Sequence, residues 1–340
     1  MRKEWLLLAV LFLFFGLVLA ACGGSEPSTS EGEEIESTNE GANEGGSSGE
    51  RPDFISMLTG GTSGTYYPLG GEMATIISSE TGIQTDAVSS NASADNVVAL
   101  QEGEAELAFV QTDVISNAVE GTNVFDGNPV DNVLALGSLY PETVQIVTTA
   151  DSGIESVEDL EGKNVSVGAP GSGTYVNAEQ ILEVHGLTMD DINPQNLDFG
   201  ESTGGIQDGN IDAAFITAGT PTGAVEGLQA TTDIKIVPIE EDKVQELIDA
   251  YPYYAEDTIP AGTYGLEEEV PTVAVMAMLA VTDELSEDVV YDITKAIYEN
   301  ADSISHSKAE FINIDSALDG IGVDLHPGAE KYYEEVGVLE

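Results

Sequence analysis

The sequence is poor in basic residues and in cysteine. Its 340 residues include nine Lys and Arg against 62 Asp and Glu, a formal net charge of −53 at pH 7, and a single cysteine. Proteins that bind the phosphate backbone of nucleic acids need clustered Lys or Arg side chains, which nine residues spread along this chain cannot supply. One cysteine forms no disulfide within the chain. The composition therefore excludes a nucleic-acid-binding protein and a disulfide-stabilised scaffold.

The sequence also lacks the signatures of common catalytic and nucleotide-binding sites. Its three histidines, His185, His306 and His326, have no spacing that would ligate a metal or pair with a nucleophile. Residues 168–173 read G-x-x-G-x-G, which differs from the dinucleotide-binding G-x-G-x-x-G, and no G-x-x-x-x-G-K-[ST] occurs. We therefore expect no catalytic residue, no metal, no cofactor and no enzymatic activity.

The first 52 residues have the composition of targeting and tethering segments. Residues 1–21 combine a basic start with a long apolar run, as in a secretory signal peptide. Small residues precede Cys22, as in lipoproteins whose cysteine is lipidated after cleavage; an ordinary signal peptide with an incidental cysteine is the alternative. Residues 22–52, rich in Gly, Ser and Glu, predict a disordered acidic tether. We expect an exported protein that acylated Cys22 anchors in the lipid bilayer, on the outer face of the bacterial cell membrane.

The acidic residues are spread along the whole chain. Such a surface suits a saline environment, in which salt screens the self-repulsion of a highly charged protein. An alternative is that the acidity attracts a cationic ligand or Ca²⁺. Residues 208–212 begin like a calcium-binding loop, but Ala213 stands where that loop needs glycine. We favour solubility as the reason for the charge.

From residue 53 onward, apolar runs of strand length alternate with helical periods, which predicts an α/β fold. Two segments occur twice. A strand-like run leads into Ser-Gly-Thr-Tyr at 63–66 and again at 172–175, and residues 103–109 resemble residues 209–215 at nearly the same offset. We predict two similar α/β lobes whose strand tips face a shared cleft, where ligands of open α/β sheets usually bind.

The two Gly-rich loops carry the candidate binding chemistry. A tight loop between a strand and a helix presents unpaired backbone N–H groups and the positive end of a helix dipole, which together hold an anion. The alternative is that the glycines only form a turn and the hydroxyls only cap the helix. No arginine follows Arg51, so a bidentate arginine clamp on a carboxylate is impossible in the folded body. The candidate ligand-binding residues are Gly61, Thr62, Ser63, Thr65, Tyr66, Gln111, Ser172, Gly173, Thr174 and Tyr175.

Five motifs resemble one known family, the TAXI branch of the solute receptors of TRAP transporters. They are TGGTSGTYYPLGG (59–71), LAFVQTDV (107–114), LYPE (139–142), VGAPGSGT (167–174) and HPGAEKYY (326–333). The resemblance covers about residues 53–337. It implies a two-lobed periplasmic-binding-protein fold of type II-like form, with two mixed sheets flanked by helices and joined by hinge crossings. It also implies a glutamate-like or other small carboxylate or amino-acid ligand, delivered to an integral-membrane TRAP permease.

On this interpretation lobe 1 comprises residues 53–143 and 270–340, and lobe 2 comprises residues 144–269. The crossing segments are expected at 139–147 and 273–281. Three alternatives stay open at this point. They are a solute-binding lipoprotein of an ABC importer, a secreted hydrolase that uses Ser63 or Ser172, and a surface adhesin.

Overall fold

The computed structural model describes residues 51–339. The predicted signal peptide and Cys22 lie outside the described residues, as does the tether up to residue 50. Among the described residues, no helix combines the length and the hydrophobicity needed to cross a bilayer.

The described chain alternates strands and helices, as the sequence predicts. The strands are β1 (Phe54–Leu58), β2 (Gln84–Val88), β3 (Leu107–Gln111), β4 (Val133–Thr149), β5 (Asn164–Ser166), β6 (Asn193–Gln195), β7 (Ala213–Ala218), β8 (Ile234–Val237), β9 (Ala255–Ile259) and β10 (Val270–Thr282). The α-helices are α1 (Tyr66–Thr81), α2 (Ser93–Gln101), α3 (Thr112–Glu120), α4 (Gly173–Val184), α5 (Phe199–Gln207), α6 (Gly223–Gln229), α7 (Glu241–Ala250), α8 (Glu287–Glu299) and α9 (Pro327–Glu335).

The sheet consists of two halves with the same topology. In the first half β1 pairs in parallel with β2 and β3, and in the second half β5 pairs in parallel with β6 and β7. The helices α1 and α2 connect the first set of strands, and α4 and α5 connect the second set. The repeat found in the sequence is therefore a repeated strand–helix–strand–helix–strand unit whose first strand is central.

Two long strands join the halves. β4 and β10 pair antiparallel with each other, so that the hydrogen-bonded order is β2-β1-β3-β10-β4-β7-β5-β6, with β8 on β4 and β9 on β10. The first part of β10 pairs with β9 and its last part pairs with β3. The predicted crossing segments, 139–147 and 273–281, lie within β4 and β10. The two predicted sheets are thus continuous through their crossing strands, in a mixed α/β fold.

Helices cover both faces of each half. In β3, Leu107 and Phe109 point into a core that α1, α8 and α9 share, whereas Ala108 and Val110 point into a core that α2 and α3 share. The second half has the same arrangement, with α4 and α7 on one face and α5 and α6 on the other. Strands that are buried on both faces have continuous apolar sequences, which explains why β3 and β7 are recognisable in the sequence. The predicted lobe boundaries at 143/144 and 269/270 stay predictions.

Gly137 in β4 lies where two buried tyrosines approach the strand. Tyr333 Oη donates to the carbonyl oxygen of Leu136 at 2.9 Å, and Tyr298 Oη donates to that of Ser138 at 2.7 Å. A Cβ atom at position 137 would collide with both hydroxyl groups.

We expect Gly137→Ala to destabilise the protein by on the order of 1–3 kcal/mol, because the buried tyrosines cannot retreat without losing these hydrogen bonds. Urea unfolding followed by circular dichroism measures the change. Gly204→Ala is the matched control, because nothing lies near its added methyl group and alanine favours the helix by up to about 1 kcal/mol. Equal stability of the two variants would contradict this packing.

Candidate functional site

One cleft lies between the two halves of the sheet. Its cavity has a volume of about 50 Å³ and opens in part to solvent. Its lining residues are Gly60, Gly61, Gly64, Thr65, Tyr66, Ser90, Asn91, Ala92, Ser93, Gln111, Glu142, Ala169, Ser172, Gly173, Thr174, Asp198, Phe199, Thr217 and Ala218. None of these lining residues is Lys, Arg or His.

Five helices begin at this cleft. The residues that immediately precede α1, α2, α3, α4 and α5 all line it: Thr65, Ala92, Gln111, Ser172 and Asp198. The first backbone N–H groups of a helix have no partner within the helix, and the helix dipole is positive at this end. Their convergence makes the cleft attractive to an anion although its lining contains no basic side chain.

Different hydrogen bonds and backbone angles shape the two Gly-rich loops at the cleft. In the first loop the Gly64 N–H donates to the Gly61 carbonyl oxygen at 3.1 Å and closes a turn before α1. In the second loop Gly168 and Gly171 have positive φ angles of 91° and 75°, which favour glycine. The hydroxyl of Ser172 then accepts a hydrogen bond from the Tyr175 N–H at 3.2 Å and caps α4.

The two halves are in contact around the cleft. The hydrogen bonds that cross between them around the cleft include Ala94 N and Asp95 N to Gly171 O (2.9 and 3.1 Å), Ala224 N to Ser63 O (3.1 Å), Asn177 Nδ2 to Asp113 Oδ2 (3.0 Å) and Thr65 Oγ1 to Gly219 O (3.4 Å). Gly173 also packs so closely on the carboxamide of Gln111 that a Cβ atom there would overlap it. The two halves of the structure are therefore closed over the cleft.

Two buried carboxyl groups lie at the point where the strands cross. Glu142 on β4 is 2% exposed and lines the cleft, where Tyr66 Oη donates to its Oε2 at 2.9 Å. Burial raises the pKa of Glu142 to about 8, although hydrogen bonds from Tyr66 and Gln111 lower it in part. Burial also raises the pKa of Asp113, at the start of α3, to about 7. At neutral pH the carboxyl of Glu142 is therefore largely protonated when no ligand is bound.

Two further polar groups of the lining lack a partner. Gln111 is 2% exposed and Thr217 is 4% exposed. Neither the Oε1 atom of Gln111 nor the Oγ1 atom of Thr217 has a hydrogen-bond partner among the described residues. Buried polar atoms are nearly always paired, because an unpaired one costs about 1–3 kcal/mol. A bound polar molecule would remove this cost.

The structure brings most of the predicted site residues together. Seven of the ten line the cleft: Gly61, Thr65, Tyr66, Gln111, Ser172, Gly173 and Thr174. Thr62 is exposed outside it, Ser63 contacts the other lobe through its backbone oxygen, and Tyr175 packs against the core of the second half. The first Gly-rich loop holds the side chains of Thr62 and Ser63 outside the cleft, and α4 turns the side chain of Tyr175 away from it. That the seven residues bind a ligand stays a prediction.

The sequence analysis missed several residues of the lining. They are Ser90, Asn91 and Ala92 before α2, Ser93 at its first position, Asp198 and Phe199 at the start of α5, and Thr217 near the end of β7. Glu142 carried a usable signal, since a Glu inside the long apolar run of β4 must be buried. The others lie in polar segments that resemble ordinary loops, so only the tertiary structure indicates that they face the cleft.

The model of the NMT1-like family matches residues 57–337, most of the chain. The chain belongs to the NMT1-like family.

Solved structures share this fold over most of its length. A Bordetella bronchiseptica protein is 18% identical with a TM-score of 0.53, and covers 84% of this chain and 81% of its own. The alkanesulfonate-binding protein SsuA of Xanthomonas axonopodis pv. citri, solved with MOPS bound, is 14% identical with a TM-score of 0.51, over 84% of this chain and 85% of its own. The binding protein component of an ABC phosphonate transporter from Pseudomonas aeruginosa is 11% identical with a TM-score of 0.50, over 77% and 78%. The chain has the fold of the periplasmic solute-binding proteins that serve membrane transporters.

The interpretation of the sequence as a TAXI receptor is wrong. The matching family is the NMT1-like family, and the similar structures include binding proteins for sulfonates and phosphonates. The glutamate-like ligand and the TRAP permease came only from that resemblance and are withdrawn with it. Part of the motif HPGAEKYY has a structural role here: His326 Nδ1 accepts from the Gly328 N–H at 3.1 Å and caps α9, and Tyr333 is fully buried. Such residues are needed for the fold and therefore indicate little about which ligand is bound.

The raised pKa values of Asp113 and Glu142 predict a pH dependence of stability. Both groups hold their protons to a higher pH in the folded protein than in the unfolded chain, where they titrate near pH 4. The folded state therefore binds more protons between about pH 4 and pH 8, and the free energy of unfolding falls as the pH rises through that window. We expect Asp113→Asn and Glu142→Gln to reduce this fall, each by on the order of 1 kcal/mol or more.

Melting temperatures of the unliganded protein at pH 5.5 and pH 9 measure the effect. The exposed Glu268→Gln is the matched control and should follow the wild-type profile. Parallel profiles for all four proteins would mean that the two carboxyls are not buried in the way described.

Proposed function

We propose that the protein is the solute-binding component of an ABC-type importer for a small organic oxyanion of the sulfonate or phosphonate class. The observation that carries this proposal is the convergence of five helix N-termini on one closed cleft. Helix N-termini bind anions through their free N–H groups and their dipoles, and a group with three oxygens can accept from several of them at once.

The lining favours an anion held by neutral donors. The hydroxyls of Thr65, Ser172 and Thr174 lie among the lining residues, next to the first turns of α1 and α4. Such groups stabilise an oxyanion by many hydrogen bonds of moderate strength in place of one ion pair. The ligand must also be small, because contacts between the lobes close the cleft around it.

The choice of an ABC-type importer has support from the similar structures. Two of them are named as an alkanesulfonate-binding protein and as the binding component of an ABC phosphonate transporter. We infer by analogy that this chain works outside the cytoplasm with an integral-membrane permease. A lipid anchor at Cys22 would hold it beside that permease, although this cysteine lies outside the described residues.

Binding and closure are one event in this proposal. A ligand that accepts from the start of α1 in one half and from the start of α4 in the other makes its full set of contacts only when the two halves meet. It therefore favours the closed state by differential affinity, and a permease can distinguish the loaded receptor by its shape. The hydrolase alternative gains no support, since the Ser172 hydroxyl serves as a helix cap.

We expect the purified body, residues 51–340, to bind small sulfonates or phosphonates, with or without an amino group. Isothermal titration calorimetry of ethanesulfonate, ethylphosphonate, taurine and 2-aminoethylphosphonate tests this, with ethyl methyl sulfone as the uncharged control. Binding of one or more charged compounds, and none of the sulfone, is the expected result. No binding of any of the four would overturn the proposal.

Thr217→Val provides a test of the site itself. Because Thr217 Oγ1 has no partner among the described residues, its removal leaves the melting temperature of the unliganded protein unchanged or higher. The loss of a hydrogen bond to the ligand should weaken binding by about 0.5–1.5 kcal/mol, or roughly twofold to tenfold in affinity. The matched control is Thr62→Val in the exposed part of the first Gly-rich loop, which should bind like the wild type. Equal affinities of both variants would remove Thr217 from the site.

A further inference from the structure

Glu142 is a buried acid in a cleft whose helix starts suit an anion, and the exposed Asp198 is the other acid of the lining. It lies on the crossing strand β4, between the parts of this strand that enter the two cores, and it is 2% exposed. The titratable groups that face it are Tyr66 from α1, Tyr140 from its own strand, and Asp113 from α3, which is a second acid. No basic side chain lines the cleft to neutralise it. The fold thus keeps a costly carboxyl where the ligand binds.

The hydrogen-bond partners of Glu142 define an acceptor end of the cleft. Tyr66 Oη donates to Oε2 at 2.9 Å and Tyr140 Oη lies 3.4 Å from Oε1, so both hydroxyls direct their hydrogens at the carboxyl. The side-chain Oε1 atom of Gln111 is buried and accepts no hydrogen bond among the described residues. An ammonium group has three donors and no acceptor, which matches a carboxylate oxygen together with an unpaired carbonyl oxygen. The start of α4 provides backbone N–H donors in another part of the same lining.

The charge of the whole chain favours the same kind of ligand. At −53 the protein repels a free anion at long range, and this repulsion slows its capture. A molecule with one positive and one negative group carries no net charge and escapes that repulsion. Both of its charged groups find their complement inside the cleft.

We propose that the ligand is a zwitterion, an aminoalkyl sulfonate or aminoalkyl phosphonate, whose oxyanion binds the helix N-termini and whose ammonium group donates to Glu142 and Gln111. This inference rests on the proposed function and specifies its substrate class. Glu142 then selects aminated from non-aminated oxyanions.

Proton release follows from this arrangement. The pKa of Glu142 is about 8 without ligand, so the group is mostly protonated at pH 7. An ammonium group beside the carboxyl favours its ionised form and lowers that pKa. Binding at pH 7 therefore expels a proton into the solvent. A neutral Glu142 that donated to the oxyanion of a non-aminated ligand would instead take up protons on binding above pH 8.

The decisive experiment compares taurine with ethanesulfonate, and 2-aminoethylphosphonate with ethylphosphonate, by calorimetry at pH 7. Two buffers of different ionisation enthalpy, neither carrying a sulfonate or phosphonate group, report the protons exchanged. We expect an aminated compound to bind about tenfold more tightly than its non-aminated partner, with release of protons. Taurine affinity should also change little between low and high salt, because taurine is neutral overall.

The variant Glu142→Gln should lose the preference for the aminated compound and the proton release, while Glu268→Gln keeps both. The melting temperature of Glu142→Gln shows that it is folded, and measurements on the wild type with the two compound pairs stand without any variant. Equal binding within both pairs, or preference for the non-aminated members, overturns the zwitterion while the oxyanion receptor stands. Failure of all four compounds to bind overturns the receptor itself.

Discussion

The antiparallel pairing of β4 with β10 holds the two halves of the molecule together. Residues of β4 lie in the core of the first half near Leu136 and in the core of the second half near Ile146. Between them Glu142 pairs with Val275 of β10 at the cleft. Because the same two strands contribute to both cores, neither half can complete its core without the other. The crossing also places a buried carboxyl where the two lobes meet.

The cleft follows from the repetition of one unit on the two sides of that crossing. In each half the central strand ends in a Gly-rich loop, and a helix begins there. Parallel strands within a half direct their carboxyl ends, and the helices that follow, to one edge. With the two halves facing each other, five helix starts surround one space. A chain with 62 acidic residues can therefore present a donor-rich site without a basic side chain in its lining.

Charge acts over two ranges of distance in this molecule, between residues across the surface and between groups in contact inside the cleft. On the surface the acidic residues repel one another and any approaching anion, an effect that salt screens within about 8 Å at physiological ionic strength. In the cleft the local field comes from helix ends, hydroxyls and the carboxyls of Glu142 and Asp198, which lie too close to a ligand for salt to screen. The pKa of Glu142, raised to about 8 by burial, belongs to this second range. Local arrangement can thus oppose what the net charge suggests.

The sequence alone determined the α/β class, the repeated unit, the strands β1, β3, β5 and β7, and seven of the residues that line the cleft. These succeed because burial on both faces leaves continuous apolar runs, and because tight strand-to-helix loops need glycine at fixed places. The motif resemblance to TAXI receptors predicted the wrong family and the wrong class of ligand. His326 caps a helix and Tyr333 fills a core. A fold that many different receptors share can require such residues whatever ligand is bound.

Which polar residues face one another depends on how distant parts of the chain fold together. Asp198, Thr217 and Ser93 lie far apart in the chain and in segments of unremarkable composition, yet they line the same cleft. The structure also removed Thr62, Ser63 and Tyr175 from the lining, although their neighbours belong to it. The physical reason is that a loop motif specifies its own backbone, whereas the direction of each side chain relative to a distant lobe depends on how the two halves close.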